Sequence, residues 1–111
     1  MSLSIATEAR SDANIVHVEG ELDVYTSPQL KEILDGFDGH SPRVVLDLSE
    51  VHFIDSTALG VVVAAYQRIQ TVGGQFRLVA DDPFLLKIFH ITGFDGVLPI
   101  FPTVDDALCA G

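Results

Sequence analysis

The sequence predicts a single α/β domain: a mostly parallel, mixed β-sheet with about four helices. Two observations carry this. From about residue 43 onward, strand-like and helix-like apolar patterns alternate, which implies parallel strands joined by right-handed crossovers. Before that, strand-like segments follow one another without a helix between them, which adds a mixed or antiparallel edge. The 111 residues hold no repeat, linker or low-complexity stretch. Residues 1–111 are therefore read as one domain, long enough to bury roughly 65% of the unfolded surface.

In the first strand region, Ile15, His17 and Glu19 alternate with Val16 and Val18, a period of two. Gly20-Glu21-Leu22-Asp23-Val24-Tyr25 continues extended toward a helix start at Thr26-Ser27-Pro28. Proline early in a helix lacks only a donor that would be orphaned there anyway. Leu30, Ile33, Leu34 and Phe37 give that helix one apolar face, and Gly36 and Gly39 mark its end. The continuous run Val44-Val45-Leu46 predicts a strand covered on both faces. A helix from Ser56 ends at Gly73-Gly74, and Gln75–Ala80 predicts the next strand. Asp82-Pro83 opens a third helix, with Leu85, Leu86 and Phe89 on one side and a stop near Gly93. Val97–Phe101 reads as a last strand, whose Pro99 argues for an edge position. Thr103 then caps a terminal helix carrying Val104, Ala107 and Leu108.

Sixteen acidic residues against six basic ones give a formal net charge of −10. Such a surface repels phosphate backbones and anionic head groups, so neither nucleic acid nor membrane is expected as a partner. It favours encounter with a basic patch on another protein, or simply keeps a small apolar-rich domain dissolved. No segment approaches the ~20 apolar residues of a membrane helix, and Met1–Ala6 lacks a basic start followed by an apolar run, so no secretory signal is expected. Cys109 is the only cysteine, without metal-ligand spacing. A cytoplasmic location is expected.

The most informative segment is Val44–Gly60, read as a buried strand, a short connection and an Asp55-Ser56 pair opening a helix. At a helix N-terminus, orphan amides and the helix dipole favour added negative charge. A serine there can take a phosphate without disrupting its helix. The plain alternative is a cap, with Asp55 or Ser56 accepting from a first-turn amide.

Gly20-Glu21-Leu22-Asp23, Asp55-Ser56-Thr57-Ala58-Leu59-Gly60, Leu86–Phe94 and Thr103–Leu108 together resemble the bacterial anti-sigma factor antagonists built on the STAS domain. The resemblance spans nearly the whole chain. It implies a STAS-domain fold with helices largely on one side of the sheet, and phosphorylation at Ser56, with Thr57 as second choice. Ala58 stands where the family usually has Gly, and a helical Ala is unstrained. Asp23 would lie on the loop facing Ser56, so that Asp23, Tyr25, Thr26 and Ser27 form a partner surface with Asp55, Ser56, Thr57 and Ala58. The implied partners are an anti-sigma factor that is itself a serine kinase, and a phosphatase. ATP and Mg²⁺ would belong to the kinase, and this chain would need no cofactor.

At about 100° per residue, Leu59, Val62, Val63, Tyr66 and Ile69 face the core, and Thr57, Val61, Ala64 and Arg68 form the opposite stripe. Three of those four are small or apolar, which suggests a docking face. Two alternatives stand beside this reading. One is a STAS module of another signalling assembly. The other is a receiver-like phosphotransfer protein, using Asp47 with Asp81 and Asp82, although Lys87 sits inside a helix pattern rather than after a strand. No nucleophile elbow, phosphate-binding glycine loop or metal motif is present, and His17, His40, His52 and His90 are scattered, with His17 expected to face solvent. An enzyme is not expected.

Overall fold

The computed structural model describes residues 3–10, 12–37 and 43–109. Gly39 and His40 lie outside the described residues. The elements run β1 (Leu3–Arg10), β2 (Ala13–Leu22), α1 (Ser27–Asp35), β3 (Arg43–Ile54), α2 (Ser56–Thr71), β4 (Gln75–Val79), α3 (Pro83–Thr92), a 3₁₀ turn (Phe94–Gly96), β5 (Ile100–Phe101) and α4 (Val104–Cys109). The five strands lie in sequence order, β1-β2-β3-β4-β5. β1 is antiparallel to β2, and the remaining neighbours are parallel. The fold class expected from the sequence is thus the fold observed.

This order dictates where the helices go. Every crossover from β2 to β5 steps the same way along the sheet, and right-handed crossovers then lay all three connecting helices on one face. The larger core forms between them. It contains Val16, Val18, Leu46, Leu48 and Leu78 from the sheet and Leu30, Leu34, Leu59, Val62, Ile69, Leu85 and Phe89 from α1, α2 and α3. α4 follows the last strand, is no crossover, and covers the other face with a small cluster of Ile15, Val45, Val79 and Ala107. Arg77 on that face donates to the Ala107 carbonyl, and Arg43 to that of Leu108 at 2.9 Å, which fixes the end of α4.

The strand boundaries differ from the sequence reading in two places. β3 does not give way to a connection before Asp55; it runs to Ile54, and Asp55 alone joins it to α2. Two register shifts against β2, between His17 and Glu19 and between Gly20 and Glu21, put extra residues into β3. Its core-facing positions therefore run Val44, Leu46, Leu48, then Val51 and Ile54, each bulge advancing the phase by one. That broken alternation disguised the strand. β5 is shorter than expected because the Val97 and Leu98 amides turn back to the Phe94 carbonyl, leaving Ile100–Phe101 to pair with β4 at the sheet edge.

Candidate functional site

The parallel strands β2 and β3 end side by side. Leu22 pairs with Ile54, and the Asp55 amide donates to the Leu22 carbonyl at 3.0 Å. The start of α2 and the loop before α1 are therefore neighbours, as the site reading requires.

At α2, Asp55 has extended backbone and is the N-cap; its Oδ1 accepts from the Ala58 amide at 2.9 Å. The helix hydrogen-bond ladder begins with the Leu59 amide on the Asp55 carbonyl. Ser56 and Thr57 occupy the first two helical positions and are exposed. Neither hydroxyl has a hydrogen-bond partner among the described residues. Asp55 rather than Ser56 does the capping, so the serine is not consumed by the helix it opens.

The loop before α1 treats the same residue types differently. Asp23 turns its carboxylate back on its own loop, accepting from the amides of Tyr25 at 2.9 Å and Thr26 at 3.0 Å. The bond from the Thr26 amide is the main cause holding the Asp23 carboxyl below the usual carboxylate range. The Thr26 hydroxyl donates to the Glu21 carbonyl at 2.7 Å and accepts from the Asp23 amide at 2.9 Å. Thr26 holds the N-cap position but caps no helix amide, and Ser27 is only 2% exposed. Asp23, Thr26 and Ser27 are therefore turned inward and shape the loop, where the sequence reading pictured their side chains projecting toward a partner. Tyr25, 84% exposed, is the expected loop residue that does project, and Val24 projects beside it.

On α2, too, side chains lie differently from the sequence reading. Ala58 is fully buried in the core. The stripe of Thr57, Val61, Ala64 and Arg68 is not one open face. Thr57 and Ala64 are exposed, but Val61 is half-buried against the core. Arg68 reaches α1, donating to the carbonyls of Leu34 at 2.5 Å and Phe37 at 2.6 Å. The cause is the common handedness of the crossovers, which lays α1 along this flank of α2. A hollow of about 230 Å³ remains between the two helices, lined by Lys31, Asp35, Val61 and Ala64 among others. Of the residues expected to face the core, Leu59, Val62 and Ile69 are buried, Val63 and Tyr66 pack partly against it, and Ala65 joins them.

A model of the STAS domain matches residues 4–107. The chain belongs to the STAS domain family. It is 34% identical over 102 residues to the anti-sigma-B factor antagonist of Listeria monocytogenes, covering 90% of each chain. It is 29% identical over 100 residues to that of Bacillus subtilis, covering 90% of this chain and 92% of the relative. It is also similar to the crystal structure of an anti-sigma factor antagonist from Mycobacterium paratuberculosis, with TM-score 0.88 and 34% identity over 96% of this chain and 92% of that one.

Two of the three carboxylates of the receiver-like alternative, Asp47 and Asp82, are engaged elsewhere in this STAS fold, and Asp81 is exposed. Asp47 accepts from His17 at 2.7 Å and from the Ser49 amide at 3.0 Å, closing the first bulge of β3. Asp82 caps α3 through the Phe84 and Leu85 amides and pairs with His52 at 2.6 Å. Among the described residues no cluster of three or more His, Cys, Asp or Glu is arranged to hold a metal ion, and no helix is long and apolar enough to cross a membrane.

Sequence reasoning missed one feature near the site. Phe53, two residues before Asp55, stacks on Phe84 at the start of α3, with centroids 6.1 Å apart and planes 15° apart, and both rings remain partly exposed. After Val51 the second bulge brings Ile54 rather than Phe53 to the core face, which leaves the Phe53 ring on the outside.

Proposed function

We propose that this chain is an anti-sigma factor antagonist whose binding to an anti-sigma factor with serine kinase activity is switched off by phosphorylation at Ser56. The observation that carries this is the hydroxyl of Ser56: exposed, unbonded, and set on the first position of a 16-residue helix whose cap is already supplied by Asp55. Family membership and the names of the relatives support the general role.

The physics of the switch follows from the geometry. Unphosphorylated, the start of α2 and the projecting Tyr25–Val24 tip offer a largely neutral surface that a partner can cover. The amides of Ser56 and Thr57 have no acceptor inside the helix. A phosphate on Ser56 Oγ adds about −1.5 to −2 charge where the helix dipole tolerates it. The fold is unchanged, while a partner surface packed over Ser56 meets a charge it must desolvate. The kinase supplies ATP and Mg²⁺, and a phosphatase restores the serine. Thr57 lies one position further in and is the second acceptor.

The test is direct. Unphosphorylated protein used as bait in an extract of the source cell should retain an anti-sigma kinase. With ATP, that kinase should add one phosphate to the peptide containing Asp55-Ser56-Thr57, and Ser56→Ala should remove it. Full labelling of Ser56→Ala at a distant residue would overturn the assignment.

A further inference from the structure

On the sheet face opposite α1, α2 and α3, three adjacent strands are tied by one side chain. His17 on β2 sits with Nε2 2.8 Å from Glu8 Oε1 on β1 and Nδ1 2.7 Å from Asp47 Oδ2 on β3. A carboxylate only accepts, so satisfying both contacts requires both ring nitrogens to carry a proton, the imidazolium form. A neutral ring would turn one lone pair toward a carboxylate oxygen. Neither carboxylate is free to leave easily. Arg10 grips the other oxygen of Glu8 at 2.7 Å, and the second oxygen of Asp47 accepts from the bulge amide of Ser49.

β1 is the edge strand and needs such a tie. Leu3 is buried and its carbonyl accepts from Gln29 Nε2 of α1 at 3.2 Å, but no residue from Ala6 to Arg10 is buried. Among the described residues, that outer half is held by its ladder with β2, the His17 contact and the long, exposed Arg10–Asp105 ion pair. We propose that Glu8, His17 and Asp47 form a proton-dependent clasp, which secures the outer half of β1 to the sheet while His17 is charged and releases it when His17 loses its proton. Across the same shallow hollow, Glu19 of β2 and Glu50 of β3 add negative charge around the ring. From β1 the facing charges are Glu8 and Arg10, and from α4 Asp105 reaches Arg10 at 3.9 Å. The balance around His17 is acidic.

The hydrogen bond to Glu8, reinforced by Asp47 and opposed by partial burial, raises the His17 pKa above its ordinary value. A raised folded-state pKa stabilises fully below the unfolded value, and the stabilisation is lost as pH rises through the folded one. The clasp is therefore closed below the ordinary histidine value, as long as the carboxylates stay ionised, and opens as pH rises through the raised folded-state value.

The experiment is residue-resolved hydrogen exchange on the whole chain at pH 6 and pH 9, expressed as protection factors to remove the intrinsic pH dependence, together with an NMR titration of the His17 ring. In the wild type, the β2-bonded amides of Ala6–Arg10 should lose protection roughly 3- to 10-fold between the two pH values, the scale of one hydrogen bond, while β3 stays constant. His17→Gln should show low, pH-independent protection in the same segment. Glu8→Gln, at a partly exposed position that folding tolerates, should lower the His17 titration midpoint and weaken β1 protection at pH 6. A His17 midpoint at or below the ordinary histidine range, or wild-type β1 protection equal at both pH values, would overturn the clasp.

Discussion

Helices α1 and α2 both begin beside the C-terminal ends of neighbouring parallel strands, and both starts combine an aspartate with hydroxyl residues. At α1, Asp23, Thr26 and Ser27 are turned inward and hydrogen-bonded, and the loop shows the outside only Val24 and Tyr25. At α2, Asp55 alone caps the helix, and Ser56 and Thr57 stand exposed with free hydroxyls. The chemical inventory is nearly the same, and the hydrogen-bond bookkeeping is opposite. A hydroxyl whose bonds are spent on its own backbone is a structural part. One left unspent at a helix N-terminus is available to a kinase. The pair thus gives an internal control for the functional reading, since the same kind of substitution should cost folding at one start and function at the other.

The largest expected effect is therefore at the inward start. Thr26→Val keeps the shape of the side chain but removes the group that serves both the Glu21 carbonyl and the Asp23 amide. Leaving buried backbone groups unpaired costs about 1–3 kcal/mol. Urea denaturation should show a clear drop in midpoint, and the loop should lose order in the amides of Asp23–Thr26. A wild-type midpoint would mean that the loop is not built on Thr26, and the contrast between the two starts would collapse.

A smaller effect of opposite sign is expected one turn into α2. Gly60 is exposed, and a Cβ built on it meets nothing within 4 Å. Folding gains nothing from glycine in a helix interior, so Gly60→Ala should stabilise the free protein by about 0.5–1 kcal/mol. Gly60 lies four residues from Ser56, on the same side of the helix. If a partner covers Ser56, a larger side chain at this point obstructs it. Gly60→Leu should keep the fold while weakening capture of the anti-sigma kinase. Unaltered capture by a well-folded Gly60→Leu would move the contact away from this face and toward the Tyr25 tip.

Much of this contrast was legible in the sequence, and the illegible part has definite causes. The strand–helix alternation, the helix start at Asp82-Pro83, the stop at Gly93 and the Asp55-Ser56 pair are local signals, and the fold honours each of them. What the sequence could not show is which way a side chain turns once two segments meet. Asp23 and Thr26 read as a polar loop because nothing local reveals that they bond one another across the turn. Arg68 and Val61 read as an outer stripe because helical periodicity fixes a face, not what lies against it; the position of α1 decides that. The two bulges of β3 broke the period of two and hid the true length of the strand. His17 read as a solvent-facing residue because its partners, Glu8 and Asp47, are nine and thirty positions away and meet it only through the sheet register.

The smallest expected effect on the fold belongs to Ser56, which has the largest expected effect on function. Its hydroxyl has no partner and its side chain lies outside the core, so Ser56→Ala is a surface substitution and should shift stability by no more than about 0.5 kcal/mol. Ser56→Glu brings negative charge to the N-terminal end of the α2 dipole and should be neutral or stabilising by about 0.3–1 kcal/mol. The two variants are equally well folded on this account and differ only in charge at one point. Ser56→Ala should still bind the anti-sigma kinase and be refused as a substrate, whereas Ser56→Glu should bind it weakly. Thermal melts and binding isotherms on the same preparations separate the outcomes. If Ser56→Glu bound as tightly as Ser56→Ala, charge at this position would not be the switch. If either variant melted several degrees below wild type, Ser56 would be a structural residue after all, and the two helix starts would not differ in the way their hydrogen bonds indicate.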